Sequence, residues 1–269
     1  IVHPFTCMAG GNPDVGLAVG PTRGCEHRPC ALRCPIVTFQ VAAAATAALI
    51  SLAFTATVFE RWLDRRQPQD LAWSVALGLF ALGAGSMWIG ASIGWSAGPF
   101  RAFYLFGAVL NVPILALGTV YLLAPRRQAD RIAGVTVVMC ALAAGVVLAS
   151  PMGAGFAVDE LPRGSEVFGA GPRIAAAVAS SLGALVVIGG SLWSTVRLLK
   201  VRSPAARRGA LGNVLIAVGA IVLSLGGVLN SVVDEMTGFS VTLVAGIALI
   251  FAGALTATGS GRRTVAAGS

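Results

Sequence analysis

Two groups of residues in this chain could carry chemistry, and they lie in different parts of it. The first is in residues 1–35, which hold both histidines (His3, His27) and four of the five cysteines (Cys7, Cys25, Cys30, Cys34). Thiolates and imidazoles are zinc ligands, so Cys25, His27, Cys30 and Cys34, with Cys7, form a candidate metal knuckle. The spacing argues against it. Zinc sites favour C-x2-C pairs, whereas four residues separate Cys25 from Cys30 and three separate Cys30 from Cys34. Two disulfides in an oxidising compartment are a second reading. The third is a disordered tail, or upstream sequence translated from an early start codon. The lack of any apolar pattern that could fold the segment favours that third reading. No apolar h-region precedes a small-residue cleavage site, so the segment does not read as a signal peptide.

The second group is polar but neutral, and it sits within apolar runs. Asn111 lies near the middle of one such run, two residues before Pro113. Proline removes a backbone donor and frees a carbonyl in the preceding turn, and a free carbonyl beside an amide makes a small polar site. Tyr104, Ser92, Ser180, Ser181, Asn230, Ser240 and Thr242 collect toward one end of their runs. If their faces converge, they line a polar cavity. If they do not, they are helix–helix hydrogen bonds worth about 1 kcal/mol each or less.

What must position these groups is a set of membrane spans. Apolar residues make up 56% of the chain and charged ones 11%, against roughly a quarter charged in a soluble domain. A bilayer core of about 30 Å needs roughly 20 helical residues. Seven runs qualify: 36–59, 71–95, 102–123, 132–150, 174–196, 210–232 and 239–258. None alternates as a membrane β-strand would, and helices satisfy their own backbone groups in lipid. The predicted fold is therefore an all-α, seven-transmembrane-helix bundle, with residues 259–269 as a short tail.

No Asp, Glu, Lys, Arg or His falls inside those seven runs. Ion-coupled carriers, proton pumps and voltage sensors place such residues at membrane depth despite the cost. A retinal Schiff base needs a lysine in a span, and the single lysine, Lys200, lies in a loop. Membrane haem ligation and metallohydrolysis need His or Asp there too. No catalytic residue, metal or cofactor is therefore expected, and the chain reads as non-enzymatic.

The formal charge of +8 is carried by short loops, a pattern of membrane orientation rather than of nucleic-acid binding. The first loop carries Arg61, Arg65 and Arg66; the third carries Arg126, Arg127 and Arg131. Arg197, Lys200, Arg202, Arg207 and Arg208 fill the fifth, and Arg262 and Arg263 the tail. Every odd-numbered loop outscores all the even-numbered ones, which hold only Arg101, then Arg163 and Arg173, then no basic residue. The positive-inside rule therefore predicts a cytoplasmic C-terminus and an external N-terminus. The fifth-loop cluster also suits anionic lipid, at about 1 kcal/mol per basic residue. Trp62, Trp73, Trp95 and Trp193 near span ends read as an aromatic belt.

Glycines predict the packing seams. Gly212, Gly219 and Gly226 recur every seven residues, beside a second small or polar stripe through Asn213, Ala217, Ala220, Ser224, Gly227 and Ser231. Gly78, Gly85 and Ser92 repeat that spacing in the second run. In the third, a bulky stripe (Phe103, Phe106, Leu110, Ile114, Leu117, Tyr121) is expected to face lipid. Its small or polar face (Tyr104, Gly107, Asn111, Gly118) is expected to face the bundle. Arg61-Trp-Leu63-x-x-Arg66-x-Pro68 and Arg197-Leu-Leu199-x-x-Arg202-x-Pro204 are similar, which suits two parallel three-helix units.

The run FRAFYLFGAVLNVP…LGTVYLL, with the preceding ERWLDRRQPQDLAW, resembles uncharacterised multi-pass integral membrane proteins of high-GC Gram-positive (actinobacterial) bacteria. The resemblance covers roughly residues 55–130, implies a bacterial plasma-membrane location, and brings no activity with it. The expected partners are the lipid bilayer and another membrane or cytoplasmic protein. The leading expectation is a sensor or accessory subunit acting through that partner. The alternative is a carrier for a neutral or lipid-like solute, built on Asn111, Pro113 and the polar groups near them.

Overall fold

The computed structural model describes residues 33–153, 164–201, 203–228 and 236–258, and among these residues all regular structure is helical. The helices are α1 (Arg33–Arg65), α2 (Pro68–Ile93), α3 (Ala97–Phe103), α4 (Asn111–Leu123), α5 (Arg126–Ala149), α6 (Gly164–Val167), α7 (Ala170–Leu199), α8 (Pro204–Val228) and α9 (Met236–Thr258). A π-helical segment, Tyr104–Leu110, joins α3 to α4 without interruption. Counting α3, this segment and α4 as one rod, seven helices are long and apolar enough to cross a membrane. The helices run past the predicted spans by up to about six residues, because charged and proline-led turns prolong them beyond the apolar runs. The first begins at Arg33, within the segment expected to be an extension, and Cys34 falls in its first turn.

Six spans form a closed ring in which each packs on the next: α1, α2, the α3–α4 rod, α7, α8, α9 and back to α1. The remaining span, α5, lies outside the ring against α4, α7 and the π segment. Only Ala129 and Val147 of α5 are buried, and Val135, Val137, Val138, Met139 and Leu142 are exposed. Such a face is unstable in water and suits acyl chains.

Glycines set the closest approaches. A Cβ on Gly212 would stand 2.6 Å from the carbonyl oxygen of Gly253, and one on Gly219 would stand 2.7 Å from that of Gly246. The α8 seam thus meets a matching seven-residue glycine seam on α9. The second stripe of α8 turns toward α7, where Asn213 Nδ2 donates to Ser194 Oγ at 2.9 Å.

In α2 the seam differs from the expected one. Gly85 meets nothing within 4 Å and Ser92 is exposed, its hydroxyl donating to the carbonyl of Trp88. The close approaches are instead at Gly83, whose Cβ would stand 3.1 Å from the Gly107 backbone, and at Gly90, whose Cβ would meet Trp95 at 2.6 Å. Gly94, at φ 97°, is what folds Trp95 back onto Gly90. Trp95 is consequently core rather than belt, packing edge-on against Phe100 and Phe103. Trp73 is also turned inward, onto Gly118. The bulky stripe of the third span is likewise only partly outward. Leu117 is buried and Phe103 packs against Phe239, because α5 covers one flank of the rod and the π segment rotates the stripe.

At one end α1 and α2 are joined by two residues. Arg66 closes α1 in the left-handed region (φ 51°), donating its N–H to the Trp62 carbonyl at 2.7 Å, and Pro68 opens α2. Across this turn Arg61 Nε donates to Asp70 Oδ1 at 3.0 Å and Nη2 donates to the same oxygen at 2.5 Å. Asp70 is buried. This ion pair was not foreseen from the sequence, although the tight Arg66-Gln67-Pro68 turn brings positions nine apart face to face.

Candidate functional site

The ring encloses a chamber of about 650 Å³, within the range of ~300–1,000 Å³ that holds one small ligand. Every ring helix except α1 contributes to its wall. The origin of the space is a conflict in the third span. Position 113 would donate an N–H to Val109 in an α register, or to Ala108 in a π register. As proline it donates to neither. The chain responds with the π-helical turns at Tyr104–Leu110, and the Ser180 hydroxyl of α7 donates to the Ala108 carbonyl at 2.7 Å. Widened turns of this kind recur at functional sites, where they re-aim side chains.

Here the re-aimed residues are Tyr104, Gly107, Ala108 and Asn111, all of which line the chamber. Asn111 is 7% exposed, and among the described residues its amide makes no hydrogen bond. It is nonetheless not sealed away, because the chamber reaches it. A buried amide with an open side toward a cavity is an unspent donor and acceptor pair, and leaving it unmade costs about 1–3 kcal/mol.

Ser180 and Ser181 lie one to two turns from Asn111 in the same wall, and Arg173, the one charged lining residue among the described ones, lies beyond them. Opposite stand Phe80, Phe103, Leu223, Phe239, Leu243 and Ile250. The chamber therefore has a polar side and an apolar side along its length. Two lining rows are small: Ala177 and Ser181 on α7, and Ser224 and Gly227 on α8. All four are also exposed, so the wall between these helices has a gap.

The remaining expected residues fall elsewhere. Pro113 is half-buried behind the wall that it shapes. Thr242 donates to the Phe239 carbonyl and packs against Gly226; Ser240 is buried. Ser92 is on the outer surface. Asn230, Ser231 and Arg202 lie outside the described residues, as do Cys7, Cys25, Cys30 and both histidines. Among the lipid-contact candidates, Arg197, Lys200, Arg207 and Arg208 are all exposed at the α7–α8 turn. Sequence reasoning missed Arg173 as a lining residue, because its place near the start of an apolar run reads as an ordinary loop cation.

Toward the α1–α2 end the chamber is closed. Trp73 covers Gly118, a Cβ on Gly183 would stand 2.8 Å from Val112 Cγ1, and Leu123 packs on Gly190. The opposite end carries Tyr104, Gly164 and Arg173, and Arg173 is exposed. Among the described residues no group of three or more His, Cys, Asp or Glu side chains could hold a metal. The chain matches no family model, no curated protein and no solved structure.

Proposed function

We propose that this is a multi-pass bacterial plasma-membrane protein that carries a lipid-like small solute in the chamber of its six-helix ring. The observation behind this reading is the unbonded, nine-tenths-buried amide of Asn111 facing that chamber. An accessory subunit held together by packing needs no such group, and an unmade buried hydrogen bond is costly unless a ligand uses it. Apolar walls with one polar side suit an amphiphile better than a sugar or ion. The gap between α7 and α8 lies beside the first half of α7 and the last turns of α8, still within their apolar runs, so it gives such a solute a route from the outer part of the hydrocarbon. Orientation follows the basic loops: the Arg173 end faces outward and the α1–α2 end faces the cytoplasm. The function is transport without catalysis.

The test is transbilayer movement of chain-labelled NBD-lysophosphatidylcholine in liposomes, followed by dithionite reduction. Protein-containing liposomes should lose the protected inner-leaflet signal faster than empty ones, and Asn111→Ala should remove the difference. Equal rates in protein-containing and empty liposomes would refute the carrier reading. A second reading, a sensor or accessory subunit acting on a partner, draws support from α5, whose apolar face is left almost wholly uncovered. Co-purification of a stoichiometric membrane partner, lost on Leu142→Arg, would favour it.

A further inference from the structure

We infer that the solute of this chamber is a single-chain amphiphile with an acidic headgroup and a second hydrogen-bonding group roughly 15 Å along its chain. The inference rests on the carrier reading and narrows it. Among the described residues Arg173 is the one charged residue lining the chamber, at the end away from the α1–α2 turn, and it forms no ion pair with any of them. Among the described residues no carboxylate lines the wall to oppose an acidic ligand. A guanidinium at a partly exposed mouth is a ready partner for a carboxylate or phosphate.

The second group is fixed by depth. Gly183 of α7 abuts Val112, the neighbour of Asn111, and lies ten residues beyond Arg173 on the same helix. At 1.5 Å per residue that separation is about 15 Å. A ligand anchored at Arg173 that offered only methylenes at this depth would cover the Asn111 amide and leave it unsatisfied. A hydroxyl, carbonyl or amide there would pair with it. Beyond Asn111 the chamber ends among Leu115, Val187 and Ile250, which suit an apolar terminus. The volume of about 650 Å³ is on the scale of a single-chain ligand.

The experiment uses the full protein in phosphatidylcholine nanodiscs, with empty nanodiscs as blank, and three radiolabelled probes. These are 12-hydroxyoctadecanoate, whose hydroxyl lies at a comparable distance from its carboxylate, its methyl ester, and plain octadecanoate. Wild type should bind the hydroxy acid about tenfold more tightly than the ester and about fivefold more tightly than octadecanoate. Arg173→Gln should abolish the preference for acid over ester and keep the preference for the hydroxyl. Asn111→Ser and Asn111→Leu should do the reverse, each checked for a monodisperse fold by size-exclusion chromatography. Saturable binding of all three probes with equal affinity would overturn the inference and leave the carrier reading standing. The same holds for preferences that survive both substitutions. Absence of saturable binding by any probe would overturn both.

Discussion

The Ser180 hydroxyl reaches across from α7 and donates to the Ala108 carbonyl at 2.7 Å, inside the π-helical segment that ends just before Asn111. This bond stabilises the widened turns that create the chamber, because Pro113 has no N–H to offer there. Ser180→Ala should lower stability by about 1–2 kcal/mol, while Ser180→Thr should retain most of it. Thermal unfolding in detergent distinguishes the two. Equal stability of Ser180→Ala and wild type would mean that another donor takes up that carbonyl.

The Arg61–Asp70 pair closes the opposite end of the bundle. Asp70 is buried and Arg61 mostly so, hence removing the cation strands a carboxylate. Arg61→Gln should cost about 3 kcal/mol, and adding Asp70→Asn should recover part of that loss. A double-mutant cycle on unfolding midpoints reads the coupling. Additive losses would show that the two side chains do not depend on each other.

Much of the architecture was legible beforehand, because lipid imposes a simple rule. A span must be long, apolar and helical, and seven runs obeyed it. The small face of the third span was readable for the same reason, and Asn111 does face the bundle. What could not be read was which small residues meet. Gly78 and Gly85 share the spacing of Gly83 and Gly90, and spacing alone cannot say which row a neighbour approaches. The chamber was half legible: Asn111, Tyr104, Ser180 and Ser181 line it, whereas Ser92 points away. In the third span the π turns re-aim side chains by a fraction of a turn, which no α-helical wheel can follow.

The glycine seam gives a graded comparison. Gly219→Ala would drive a methyl to 2.7 Å from the Gly246 carbonyl, whereas Gly85→Ala enters open space. The first should destabilise by about 1–3 kcal/mol, and the second should be neutral or slightly stabilising. Melting temperatures of the two variants in one detergent test this. The reverse order would mean that α8 and α9 are not in close contact.

Topology is tested by reporter fusions after Arg66, Gly98, Gln128, Gly164, Ala206 and Gly238. The basic loops predict strict alternation, with Arg66, Gln128 and Ala206 on the cytoplasmic side. Two consecutive fusions reporting the same side would break the seven-span arrangement.

The central claim is that the chamber is the working part of the molecule, and filling it tests this most directly. Ala184 lines the chamber on α7, while its neighbour Leu185 is 67% exposed on the outer surface. In the lysophosphatidylcholine assay, Ala184→Trp should reduce protein-dependent transbilayer movement to the rate of empty liposomes. Leu185→Trp, with the same added bulk on the lipid side, should leave it at the wild-type rate. Undiminished movement in a correctly folded Ala184→Trp protein would contradict the account.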